Sequence, residues 1–86
     1  MWQICYESQA AKFLRKADKL QRIKILKYLQ KISKNPRISG KALTGGLNGL
    51  WRYRIEDWRV ICKLEDKELI ILIIDIGHRS TIYKKK

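Results

Sequence analysis

Apolar residues alternate with other residues from Trp2 to Tyr6, placing Trp2, Ile4 and Tyr6 on one side of the chain. This period of two predicts a short first strand. Ser8 then offers a side-chain oxygen to cap a helix that runs through Ala10, Phe13, Leu14 and Ala17. Asp18, with Gln21 three residues on, reads as a capping box, so a second helix starts there after a tight turn. Its apolar positions Leu20, Ile23, Leu26, Leu29 and Ile32 recur at near-helical spacing, while Arg22, Lys24, Lys27, Lys31 and Lys34 fall mostly on other faces. Asn35-Pro36 ends the helix, because proline disfavours helical geometry in the residue before it.

The stretch from Ile38 to Asn48, with Gly40, Gly45 and Gly46, reads as an irregular connection. Three strands follow, Leu50 to Glu56, Trp58 to Leu64 and Glu68 to Ile76. The reversals at Glu56-Asp57 and Asp66-Lys67 are short enough to force antiparallel hairpins. Leu69 to Ile74 is apolar throughout, which predicts a central strand covered on both faces. Gly77 is expected to end that strand, so that His78 and Arg79 leave the sheet together. Two helices with apolar stripes must cover something apolar, and only the sheet is available. The prediction is an α+β fold of order β-α-α-β-β-β, with a helical hairpin on one face of a four-stranded, mainly antiparallel sheet. One domain over residues 1–86 is expected.

Strand alternation gives the C-terminal part its chemistry. Trp51, Tyr53 and Ile55 share one face, and Arg52, Arg54 and Glu56 share the other. With Glu56 and Asp57 as the central turn residues, Arg54 lies opposite Arg59 and Arg52 opposite Ile61. Like charges opposite each other cost a few tenths to about 1 kcal/mol, and an anionic ligand compensates for that. The alternative is that these arginines are solvated or paired with Glu56, Asp57 and Glu65. Arginine rather than lysine at 52, 54, 59 and 79 favours phosphate, whose oxygens its planar fork matches bidentately.

Composition agrees. Lys and Arg number 20 against 8 acidic residues, a formal charge of +12 on 86 residues. Nucleic acid is the first partner to expect, and an acidic protein that masks the basic face is compatible with it. No membrane partner is expected, since the longest apolar run is far too short to span a bilayer and the N-terminus lacks a signal-peptide core. Cys5 and Cys62 have neither CxxC spacing nor a histidine cluster beside them, so no metal, cofactor or redox motif is expected. Buried free thiols and a reducing cytoplasmic location are the expectation. His78 and Tyr83 are the proton-transfer groups near the arginines.

Leu43, Gly49-Leu50-Trp51-Arg52-Tyr53-Arg54, Trp58-Arg59-Val60-Ile61, the run Glu68 to Ile76, and Gly77-His78-Arg79-Ser80-Thr81-Ile82-Tyr83 together resemble the RelE/StbE branch of the RelE/ParE toxin superfamily. The resemblance implies the toxin of a type II toxin-antitoxin system: a ribosome-dependent, metal-independent endoribonuclease that cuts messenger RNA and inhibits translation. It implies a RelB-like antitoxin with an acidic docking segment, and the ribosome and messenger RNA as the other partners. Carried over to this chain, Arg59, Arg79 and Tyr83 are the implied catalytic residues, and Arg52, Arg54 and His78 the RNA- or phosphate-binding ones. In the implied reaction a ribose 2′-hydroxyl attacks its own 3′ phosphate, with Tyr83 as base where neighbouring guanidinium groups favour its phenolate. The leaving oxygen takes its proton from Arg79 by the family's implication, or from His78, which releases one more easily. Relatives commonly carry lysine where this chain has Arg52 and Arg54, so phosphate binding is the role expected of these two. The superfamily also includes gyrase-poisoning ParE proteins of the same fold, and an inactive antitoxin-binding subunit is a third reading.

Overall fold

In a computed structural model, residues 1–47 and 49–84 are described. The chain forms β1 (Gln3–Tyr6), α1 (Ser8–Lys16), α2 (Lys19–Ile32), β2 (Lys41–Ala42), β3 (Trp51–Ile55), β4 (Trp58–Glu65) and β5 (Ile70–His78), with short 3-10 turns at Gly45–Leu47 and Ile82–Lys84. Its fold is α+β, with the two helices packed on a mixed sheet. Helix α1 buries Ala10 and Leu14, one turn apart. Its N-cap is Glu7, without a side-chain capping bond, and Ser8 is already the first helical residue. The Ser8 cap predicted above is therefore not formed. Asp18 does cap α2, its Oδ1 accepting the Gln21 N–H at 3.1 Å. Only this half of the capping box is seen, with no return bond from the Asp18 N–H to the Gln21 side-chain oxygen among the described residues; the Gln21 side-chain nitrogen is buried without a partner.

The buried stripe of α2 is Ile25, Leu29 and Ile32. Leu20 is 73% exposed, and Ile23 and Leu26 are each 38% exposed. Uniform spacing of three residues advances roughly 300° per step, so Leu20, Ile23, Leu26, Leu29 and Ile32 walk around the helix instead of sharing one face. Steps of four and then three keep Ile25, Leu29 and Ile32 together against the sheet.

The sheet has five strands in the order β1-β5-β4-β3-β2, with β1 parallel to β5 and the rest antiparallel. The fifth strand, β2, lies within the connection that the sequence presents as irregular. Two side chains of β3 hold it there. The Tyr53 hydroxyl donates to the Pro36 carbonyl at 2.6 Å, and Trp51 Nε1 donates to the Ser39 carbonyl at 2.9 Å. Gly40 is left-handed (φ 80°), and a Cβ there would sit 2.4 Å from the Arg52 carbonyl oxygen. This close approach lays Lys41 opposite Arg52 and Ala42 opposite Trp51.

Strand β4, not the apolar β5, is central. Ile71, Ile73 and Ile76 of β5 are buried, whereas Leu72 and Ile74 are half-buried, because both helices lie on one face. A register shift between Ile61 and Cys62 moves the buried set from Ile73 to Ile76. Strand β5 also runs through Gly77 to His78, which pairs with Trp58, so only Arg79 leaves the sheet. Packing is tight there, since a Cβ on Gly77 would lie 3.0 Å from Ile82 Cδ1. The core between the layers joins Tyr53, Ile55, Val60, Cys62, Ile71, Ile73 and Ile76 to Ala10, Leu14, Ile25, Leu29 and Ile32. Each fully buried aliphatic side chain contributes roughly 1.5–3 kcal/mol. Among the described residues, no helix is long and apolar enough to cross a membrane.

Candidate nucleic-acid interface

The β3–β4 hairpin has the register expected from its alternation. Arg54 lies directly opposite Arg59, and Arg52 opposite Ile61. The three arginines therefore share the sheet face turned away from Tyr53, Ile55 and Val60. Together with the residues after β5 they form a groove of about 380 Å³, lined by Arg52, Arg54, Arg59, His78, Arg79, Ser80 and Tyr83. All six residues singled out in the sequence thus meet in one depression.

Four of the acidic residues form ion pairs, one of them with Arg79 at the rim of the groove. Glu56 pairs with Lys24 at 3.0 Å, Glu65 with Lys63 at 3.4 Å, Asp57 with Arg79 at 3.5 Å, and Asp66 with Arg37. Among the described residues, no carboxylate lies within salt-bridge distance of Arg52, Arg54 or Arg59. Arg52, Arg54 and Arg59 thus do not pair with Glu56, Asp57 or Glu65, but Arg79 does pair with Asp57. Among the described residues these three guanidinium groups have no ion-pair partner, although Asp75 lies on the same face, opposite Ile61, and the excess of positive charge there suits an anion.

The arginines differ in freedom. Arg54 is exposed, and Arg52 is half-buried, its Nε shielded from solvent without a hydrogen-bond partner. Arg59 is only 9% exposed, and one of its terminal nitrogens donates to the Glu56 and Trp58 carbonyls, both at 2.9 Å. Glu56 is left-handed (φ 56°), a conformation that costs an L-residue on the order of 1 kcal/mol. Arg59 and Lys24 hold that residue in place. Arg59 is thus a fixed charge and a brace for the turn at once, which residue type alone does not reveal.

Arg79 is tied to the same turn, its backbone N–H donating to the Asp57 carbonyl at 2.8 Å beside the side-chain ion pair. His78 stands edge-on to Trp58 with ring centroids 5.4 Å apart, and Trp58 in turn meets Phe13 at 5.4 Å. His78 Nδ1 accepts the Ser80 N–H at 3.1 Å and lies 2.8 Å from the Ser80 hydroxyl. This assigns the ring proton of the neutral imidazole to Nε2. Tyr83 is 36% exposed in the turn whose Ile82 packs on Gly77.

Sequence reasoning missed Ser80 as the partner of His78, although a hydroxyl two residues from an imidazole is a local signal. It also missed the bond from Arg79 to the Asp57 backbone, which has no sequence signal because it joins two separate turns. The thiols lie outside the groove: Cys62 is buried, and burial pushes its pKa up to about 12, while Cys5 is half-buried.

Two helices over one face of a mixed sheet, with a cationic groove on the other, define a small α+β protein of RelE-like fold. The chain is similar to the isolated RelE toxin of E. coli, with 21% identity over 99% of this chain and 94% of that one and a TM-score of 0.79. It is also similar to the toxin-antitoxin complex RelBE2 from Mycobacterium tuberculosis (20% identity, 91% and 98% coverage, TM-score 0.84). YafQ from E. coli strain BL21(DE3) follows with 23% identity, 96% and 99% coverage and a TM-score of 0.70. No curated protein matches the chain by sequence. The family model of the ParE toxin of type II toxin-antitoxin systems, parDE, matches residues 4–83, and the chain belongs to that family, within the RelE/ParE toxin superfamily. It is a type II toxin-antitoxin toxin.

Proposed function

We propose that this toxin is a ribosome-dependent, metal-independent endoribonuclease of the RelE type that cuts messenger RNA in the cytoplasm and stops translation. The observation that carries the reading is the trio Arg52, Arg54 and Arg59, without an ion-pair partner among the described residues, in one groove with Arg79, His78 and Tyr83. Arg52 and Arg54 hold the RNA backbone bidentately. Tyr83 is the base that takes the proton of the ribose 2′-hydroxyl, and O2′ forms a bond to the adjacent phosphorus. The charge that builds on the phosphorane faces Arg59, whose guanidinium the Glu56 and Trp58 carbonyls hold before substrate arrives, and Arg79, whose backbone is tied to the Asp57 carbonyl. The bond from phosphorus to O5′ breaks, and O5′ takes a proton from Arg79, or from Nε2 of His78 in its imidazolium form, with Nδ1–H then donating to the Ser80 hydroxyl, leaving a cyclic phosphate and a free 5′-hydroxyl. The acidic docking segment of a RelB-like antitoxin covers the cationic face in the resting complex. The solved complex from M. tuberculosis, in which a fold like this one is bound to its antitoxin, supports that partner.

A second reading rests on the family match itself, whose description is that of a ParE toxin. In it the same fold poisons DNA gyrase without cutting RNA. Incorporation of labelled amino acids and of labelled thymidine, followed immediately after induction, separates the two. Loss of amino-acid incorporation first, abolished by Tyr83→Phe, fits the ribonuclease. Loss of thymidine incorporation first, unchanged by Tyr83→Phe, fits the gyrase poison.

A further inference from the structure

A second cavity, of about 170 Å³, is lined by Tyr28, Gly40, Lys41, Arg52 and Arg54. It shares Arg52 and Arg54 with the main groove, so the two depressions adjoin along β3. Lys41 lies directly opposite Arg52 in the β2–β3 register and adds a cation to the same face. Strand β2 has only two residues, and its pairing stops at Arg52, so Arg54 lies on a stretch of β3 with no strand beyond it. The cavity passes over this free edge to the ring of Tyr28 on α2. Tyr28 is half-buried, and its ring meets Tyr53 edge-on at 5.9 Å and 64°. No side chain can grow from Gly40, because a Cβ there meets the Arg52 carbonyl, Trp51 Nε1 and Tyr53. That part of the cavity is bare backbone. Among the described residues, Lys41, Arg52 and Arg54 have no carboxylate within ion-pair distance.

We propose that this cavity is a second nucleotide subsite, which holds the phosphate and base next to the cleaved position on the same single strand. The inference rests on the RNA reading of the main groove and extends it. Uncommitted cations beside an aromatic ring are the combination that binds single-stranded nucleic acid without reading a base pair: the cations take the phosphate, and the ring stacks a base. A volume less than half that of the main groove fits one nucleotide unit rather than a length of strand. Lys41 steers and neutralises, Tyr28 stacks, and Arg52, common to both cavities, bridges consecutive phosphates.

The test is binding of labelled oligoadenylates of two, four and six nucleotides, without ribosomes, to the full chain carrying Tyr83→Phe so that no cleavage intervenes. The expected result is a gain of at least about fivefold in affinity between the dinucleotide and the tetranucleotide. Lys41→Ala and Tyr28→Leu should each remove that gain while leaving dinucleotide affinity unchanged. Lys41→Ala should lower the salt slope for the tetranucleotide by about 0.7. Lys41 is exposed, so its variants keep the fold even if Tyr28→Leu does not. If the parent binds the dinucleotide but lengthening adds nothing, or if both variants keep the gain, the subsite is refuted and the main groove stands. If no oligonucleotide binds at all, the subsite is refuted, while the ribosome-dependent reading of the main groove is judged separately by the incorporation assay above. Loss of ribosome binding by Lys41→Ala with an unchanged length gain assigns the cavity to ribosomal RNA instead. Loss of polyglutamate binding with unchanged RNA binding assigns it to an acidic protein, and both outcomes overturn the proposal.

Discussion

The two faces of the β3–β4 hairpin come from the same residues taken alternately, yet they end in opposite states. On the helix side Tyr53, Ile55, Val60 and Cys62 are buried, and the Tyr53 hydroxyl is satisfied by Pro36. On the other side Arg52, Arg54 and Arg59 face a groove with no carboxylate partner among the described residues. One face spends its interactions on folding, and the other leaves its charge for a ligand. Arg59 is the exception, because its guanidinium also braces the turn.

Substitutions can break this contrast from either side. The largest effect on stability is expected at the core: Ile73→Ala, fully buried, should lose about 2–5 kcal/mol of unfolding free energy in a urea titration. Arg54→Ala in the same assay should be neutral or gain up to about 1 kcal/mol, because it removes a charge opposite Arg59. A loss at Arg54 comparable to that at Ile73 refutes the division of labour. Arg59→Ala should fall between the two, at roughly 1–3 kcal/mol, since it frees two carbonyls of a strained turn. It is therefore a poorer probe of chemistry than Arg54→Ala.

Tyr53→Phe comes next, with an expected loss of about 1–2 kcal/mol, because the Pro36 carbonyl is left without its donor. The hairpin core also carries a pH signature. Burial pushes the Cys62 thiol from its ordinary 9.0 up to about 12, and burial likewise pushes the Tyr53 phenol above its usual range. The native state then holds protons that the unfolded chain releases, so stability is fully present below pH 9 and falls between pH 9 and 12. Urea midpoints measured across that range should decline, and Cys62→Ala should flatten the decline. The smallest effect belongs to the exposed pair Arg37–Asp66, which holds the Asp66 carboxyl below the usual carboxylate range. Arg37→Ala should change the urea midpoint by little, within the scatter typical of surface pairs.

Much of this contrast is legible in the sequence where periodicity is strict. Trp51-Arg52-Tyr53-Arg54 followed by Glu56-Asp57 fixes both the face and the pairing of every hairpin residue, and the register matches. Legibility fails where position depends on contacts distant in the chain. Two residues at Lys41–Ala42 carry no alternation, and their strand exists because Trp51 and Tyr53 grip carbonyls in the loop before it. The apolar run of β5 looks central, but sheet order places it beside the edge strand β1. In α2 the apolar residues outnumber one stripe, and the sheet selects Ile25, Leu29 and Ile32. The charges could be counted from the sequence, but which acids they would meet required the fold.

The central claim is that the uncommitted arginines serve RNA cleavage. Mapping of 5′-hydroxyl ends across messenger RNA, minutes after induction of the wild-type chain and of Arg54→Ala at matched protein levels, tests it most directly. The account predicts new ends within translated regions for the wild type, and their near disappearance in Arg54→Ala with stability intact. Growth arrest by the wild type without new ends, or equal cutting by both proteins, would contradict it.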